Sequence, residues 1–148
     1  MARKVFFSFH YDRDYWRIAQ VRNCQVISKL EKNRFLDKAQ WEAIKRRGDS
    51  AVKLWIESQL KGTSVTVVLI GKETGNRRWV KYEIARSIAL GKGLIGIDIS
   101  KIRNRERQTD ERGPVPLPKE YPLYLWNNDT GRENLGKWID AAARKAGR

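Results

Sequence analysis

The sequence predicts an α/β domain in which a parallel sheet of four or five strands carries helices on both faces. Three observations lead there. Segments of strand character alternate with segments of helical periodicity, the order that builds right-handed β-α-β units. Residues 63–70 (TSVTVVLI) are β-branched and almost wholly apolar, as a central strand covered on both faces must be. The length of 148 residues suits one core, so residues 1–148 are read as a single domain.

The elements follow in order. Residues 5–9 (VFFSF) form an aromatic first strand that stops at the polar 11–14. From about 14 to 29, Trp16, Ile18, Ala19, Val21, Val26 and Ile27 give a helix interrupted near Asn23. A short second strand is expected at 34–37 (RFLD). Asp49 and Ser50 then cap a helix over 51–60 that stops at Gly62. The central strand 63–70 runs into a Gly-punctuated loop at 71–75, and Asn76 caps a helix over about 77–90, stopped by Gly91. Residues 93–99 (GLIGIDI) are the next strand. The stretch 101–120, charged at first and Pro-rich from 113 to 118, reads as an irregular surface connection and as the most mobile segment. An edge strand at 121–126 and a closing helix from about Arg132, with Leu135, Trp138, Ile139, Ala142 and Ala146 on one face, complete the chain.

Composition narrows the function classes. Hydrophobic residues make up 41%, enough to build a core, which excludes global disorder. The longest unbroken apolar run, 67–70, is far short of the roughly 20 residues of a membrane-spanning helix. No signal-peptide pattern opens the chain, so a cytoplasmic protein without membrane contact is expected. Cys24 and His10 are the single cysteine and histidine, which leaves zincin, papain-like and Ser-His-Asp chemistry short of residues. Cys24 reads as a small buried hydrophobe. The net charge of +14 invites an anionic partner. Basic residues interleave with acids instead of forming a block, however, so a solvated surface is the plainer reading and nucleic acid is not assigned as a partner.

In an open parallel sheet, ligands bind at the strand C-terminal ends where the strand order reverses. That places site candidates at 9–12, Asp37, 71–76 and Asp98. No GxGxxG or GxxxxGK[ST] motif is present to cradle phosphates. Asp12, Asp37 and Asp98 have the residue type for a Mg²⁺ cluster, but strand-end aspartates commonly cap the next turn, and no metal site is assigned. The most informative carboxylate is Glu83. With Trp79 at zero and ~100° per residue, Val80, Ile84 and Ile88 fall at ~100°, ~140° and ~180°, and Glu83 at ~40°. It lies between an aromatic ring and the apolar stripe, partly desolvated, with Arg77, Arg78 and Lys81 close in sequence. The competing reading is a boundary glutamate paired with one of those arginines.

Together, 4–11 (KVFFSFHY), 21–23 (VRN), 63–71 (TSVTVVLIG) and 76–84 (NRRWVKYEI) resemble the Thoeris ThsB-like TIR proteins, grouped with the MTH538 TIR-like domains. The resemblance runs from residue 4 to about residue 99. It implies a flavodoxin-like TIR fold and an enzyme that cleaves the nicotinamide–ribose bond of NAD⁺, as an NAD⁺ nucleosidase or ADP-ribosyl cyclase. The product implied is a cyclic or modified ADP-ribose, an antiviral second messenger sensed by a separate effector protein. NAD⁺ is then a substrate, and no cofactor is required. By position, the family's catalytic glutamate falls on Glu83, while Phe9, His10 and Asn23 fall in matched segments expected to line the pocket. Tyr11 and Trp41 offer rings to stack on nicotinamide or adenine, and Arg78 a cation for the pyrophosphate. Core packing is the competing reading for these rings, and the stronger one for Trp55 and Trp138.

The chemistry suits a carboxylate. Nicotinamide leaves as a neutral molecule and needs no general acid, whereas the ribose acquires oxocarbenium character that a fixed negative charge stabilises. The alternative, from a different class, is a non-catalytic TIR-like interaction module. Self-association into a homo-oligomer is compatible with either.

Overall fold

In the computed structural model the described residues are 4–23, 31–32 and 38–148, those at 11, 12, 31, 32 and 38 by backbone alone. Five strands, β1 (Lys4–Phe9), β2 (Glu31–Lys32), β3 (Val65–Ile70), β4 (Gly93–Asp98) and β5 (Leu123–Leu125), form one sheet. Their order is β2-β1-β3-β4-β5, and every pairing is parallel. The helices are α1 (Tyr11–Arg22), α2 (Lys38–Arg46), α3 (Asp49–Leu60), α4 (Arg78–Ala89) and α5 (Gly131–Lys145).

Strand alternation sorts the core into two layers. Val5, Phe7, Val67 and Leu69 pack with Ile18 and Val21 of α1 and with Leu135 and Ile139 of α5. On the other face, Val68, Ile70 and Leu94 pack with Val80 and Ile84 of α4, and Phe6 packs with Val52, Ile56 and Leu60 of α3. β3 is central and buried at all six residues, as its composition requires. Gly93 lets α5 approach the sheet, since a Cβ there would stand 2.7 Å from the Ala142 carbonyl oxygen.

Several boundaries differ from expectation. α1 begins at Tyr11 and ends at Arg22, capped by Asn23 where the periodicity weakens; its expected continuation to residue 29, with Cys24, lies outside the described residues. The strand expected at 34–37 also lies outside them, and the strand beside β1 is the two-residue β2. α2 was not anticipated, because nine residues offer too few apolar repeats to show a period. Neither expected side-chain cap forms. Gly48, at φ 98°, precedes α3, and Arg77 precedes α4 behind a 3₁₀ turn over Thr74–Asn76. Asp49, freed from capping, pairs with Arg78 at 2.7 Å.

The connection 101–122 contains no helix or strand, yet it is pinned at many points. The Asp110 N–H donates to the Ser100 carbonyl, Asn104 Oδ1 accepts from the N–H groups of Glu106 and Gln108, and Leu117 packs into the α4 layer. Gly113 abuts the loop after β3, where any Cβ would collide with the Lys72 carbonyl. Its irregular backbone is held by Asx-type turns and close packing.

Candidate functional site

The strand order reverses between β1 and β3, so the crevice at their C-terminal ends is the place to look. On the α1 side that crevice is filled. Asp14 is fully buried, Thr74 Oγ1 donates to its Oδ2 at 3.3 Å, and the same oxygen of Thr74 accepts the Gly71 N–H at 2.8 Å. Arg17, 3% exposed, lies 2.9 Å from Asp110 and 3.7 Å from Asp14, and donates to the carbonyls of Ile102 and Gln108. Burial pushes the Asp14 carboxyl up to about 6, against the pull of Arg17, Thr74 and Arg13. Asp98 turns to the Ser100 N–H at 2.8 Å. The side chain of Asp12, and Asp37 altogether, lie outside the described residues. Among the described residues no group of three His, Cys, Asp or Glu converges as a metal set.

The α4 side holds the glutamate. α4 turns Val80, Glu83, Ile84 and Ser87 to the sheet, the 3.6-residue spacing putting them on one stripe. Glu83 is 7% exposed and accepts a 2.7 Å hydrogen bond from Ser8 Oγ of β1. One turn further, Ser87 and Thr66 share a 2.7 Å hydrogen bond, so α4 meets the sheet along a short polar seam inside an apolar layer. Burial pushes the Glu83 carboxyl up to about 8, and the Ser8 bond pulls it partly back. The competing reading of an arginine partner does not describe this geometry. Arg78 reaches Asp49 and lies 4.4 Å over the Trp79 ring, while Arg86 bonds Glu57, which also accepts from the Tyr82 hydroxyl.

The aromatic residues of α2, α3 and α4 cluster around Phe6. Trp79 and Tyr82 meet edge to face at 5.8 Å, and with Trp41 and Trp55 they pack against Phe6 and α3. Trp41 thus belongs to the same cluster, 5.8 Å from Trp55. Arg78 is exposed at the start of α4, one turn before Glu83. His10, 9% exposed, stands between β1 and α1. Phe9 follows Ser8 and therefore turns to the opposite face, where it packs on the α1 and α5 core. Asn23 is exposed at the far end of α1, about 20 Å along the helix axis from His10. Only the backbone of Tyr11 is described, opening α1. Glu83 and Trp41 thus lie on the same side of the sheet, Arg78 is exposed and paired with Asp49, and Phe9 faces the opposite side.

Ser8 was missed by sequence reasoning. Its signal was a lone hydroxyl at an inward position of an otherwise aromatic strand, a place where burial demands a polar partner. Asp14 and Arg17 were missed because their partners lie about 60 and 93 residues away in the chain, a separation that no local pattern encodes.

Residues 6–104 match the model of the family described as Thoeris protein ThsB, TIR-like domain. The chain belongs to the ThsB TIR-like family. Consistent with this, it is 40% identical over 141 residues to ThsB1 of Bacillus cereus (strain MSX-D12), a protein that carries the provisional name cyclic ADP-D-ribose synthase. The alignment covers 93% of this chain and 72% of that protein. The matched family region spans β1 through β4 and so contains both Ser8 and Glu83. The flavodoxin-like α/β fold implied by the resemblance is the fold of this ThsB-family chain. None of its helices is long and apolar enough to cross a membrane, among the described residues.

Proposed function

We propose that this ThsB-family chain cleaves the nicotinamide–ribose bond of NAD⁺ and returns a cyclic or modified ADP-ribose that a separate effector senses. The observation that carries the reading is Glu83, a carboxyl buried against the sheet and held by Ser8 at 2.7 Å. Burial disfavours the charge of Glu83 and favours its protonated form at neutral pH. A pyridinium ring beside it favours the carboxylate, so the substrate itself charges the catalytic group.

As the glycosidic bond breaks, its electron pair leaves with nicotinamide, which departs neutral. The positive charge then moves to the ribose, where ionised Glu83 stabilises it. Attack on the anomeric carbon by water gives ADP-ribose and a proton; attack by a nucleophile of the same molecule gives a cyclic product. Trp79, Tyr82 and Trp41 supply the ring surface that excludes water and favours the second course. The relative's name, a cyclic ADP-D-ribose synthase, supports the cyclising branch.

The test is mass spectrometry of nucleotides after NAD⁺ is incubated with wild type and Glu83→Gln, with and without lysate of phage-infected cells. The expected result is a new ADP-ribose species from wild type alone. NAD⁺ left intact in every arm by folded protein would favour the non-catalytic interaction module.

A further inference from the structure

Glu83 is held at its carboxyl by Ser8 of β1, and its main chain is held from a second strand. Ser87, one turn further along α4, donates its hydroxyl to the Glu83 carbonyl at 2.7 Å. The same Ser87 oxygen stands 2.7 Å from Thr66 Oγ1 of β3. A hydroxyl carries one proton. Ser87 gives its proton to the Glu83 carbonyl, so in the second contact it accepts and Thr66 donates. The bonds therefore run in one direction, from the Thr66 hydroxyl through Ser87 to the Glu83 carbonyl, and each polarises the next. Thr66 and Ser87 are both fully buried. The β-branched side chain of Thr66 is also stiff about χ1, which makes it a firm anchor.

Thr66 is in register with Phe6, two residues before Ser8 on the neighbouring strand, and it shares their face of the sheet. α4 is thereby tied to both strands that flank the reversal of strand order: the Glu83 carboxyl to β1, its carbonyl through Ser87 to β3. Packing alone does not require these hydroxyls. Thr66 lies in register between Phe6 and Leu94, with Val68 next on its face, and α4 already buries Val80 and Ile84 in that layer. A valine and an alanine in place of Thr66 and Ser87 would keep nearly the same shape and bury no polar side-chain atom, an exchange that is close to neutral for stability.

We propose that the Thr66–Ser87 relay is a positioning device for catalysis, fixing the main chain of Glu83 so that its carboxyl stays on Ser8 and at one distance from the bound ribose. The inference rests on the NAD⁺-cleavage reading and adds two positioning residues to it, both acting through Glu83. A carboxylate displaced from the developing charge stabilises the transition state less, while the grip on the rest of the substrate is unchanged. Loss of the relay therefore falls on kcat and spares KM.

The experiment compares wild type, Thr66→Val, Thr66→Ser and the double variant Thr66→Val/Ser87→Ala. It reads the Tm, kcat and KM for NAD⁺, and the titration of the Glu83 carboxyl by carbon NMR without substrate. Burial and the Ser8 bond set that carboxyl, with no charged neighbour contributing among the described residues, so its titration reports the Ser8 contact. Thr66→Val is expected to lower kcat about tenfold at unchanged KM and to shift the titration upward. The double variant is expected to do the same at a Tm close to that of wild type. Thr66→Ser lacks the methyl group but keeps the hydroxyl, and is expected to restore both the rate and the titration. Rates that follow the missing methyl instead of the missing hydroxyl would overturn the relay, as would a titration unmoved in Thr66→Val. Thr66→Val alone keeps the side-chain shape, so the test stands even where the double variant does not fold. Failure of the cleavage reading looks different: wild type leaves NAD⁺ intact, and the titration still decides whether Thr66 and Ser87 hold Glu83 in place.

Discussion

Glu83 shows how one residue can be costly to the fold and useful to the chemistry. Its carboxyl lies near 8 in the folded chain against an ordinary value of 4.5, so its contribution to stability is complete below 4.5 and is lost as pH rises through 8. Glu83→Gln removes the cost of that ionisation. The variant is expected to be more stable than wild type at pH 8, by on the order of 4 kcal/mol, with the difference vanishing toward pH 4.5. Denaturant titrations of both proteins across that range measure it; a variant less stable at pH 8 would contradict the burial argument. Activity has the opposite demand, because the charged form is the one required. The kcat/KM for NAD⁺ should therefore rise with pH up to a limb near 8. Ser8→Ala removes the hydrogen bond that favours the carboxylate, so the limb should move upward by about one unit. An unmoved limb in Ser8→Ala would reduce Ser8 to a packing residue.

At the level of elements, Arg17 joins α1 to the irregular connection that follows β4. Its guanidinium lies 4% exposed among Asp14, Asp110 and two backbone carbonyls. Removing it leaves buried acceptors and a carboxyl without their cation, which costs more than the pair gave in forming. Arg17→Ala is expected to destabilise by about 3 kcal/mol and to raise amide exchange across 100–112 before the rest of the chain. Uniform exchange along the chain would show that α1 does not hold the connection. Gly113 makes the same point from the other side: a methyl group at 113 has no room against the Lys72 carbonyl, so Gly113→Ala should lower the Tm.

At the scale of the whole molecule, a net charge of +14 on 148 residues is a repulsion that the fold carries everywhere. Added NaCl is expected to raise the Tm by screening it, and a flat response would show that local ion pairs such as Arg78–Asp49 already absorb the excess. The parallel sheet, the central place of 65–70, the closing helix and Glu83 on the buried border of its helix were all legible in the chain. Each is local: β-branching, helical period and stop glycines act within about ten residues and report the face an element must bury. Cap residues were read less well, since Asp49 pairs with Arg78 and caps no helix. The sequence therefore determined the layers and one carboxyl poised between them. Ser8 against Glu83 across 75 residues and Arg17 in its buried knot were decided only when the strands were laid in register. A hydrogen bond between distant segments depends on which strands become neighbours and at what offset, and that is set by packing the whole sheet rather than by any stretch of it.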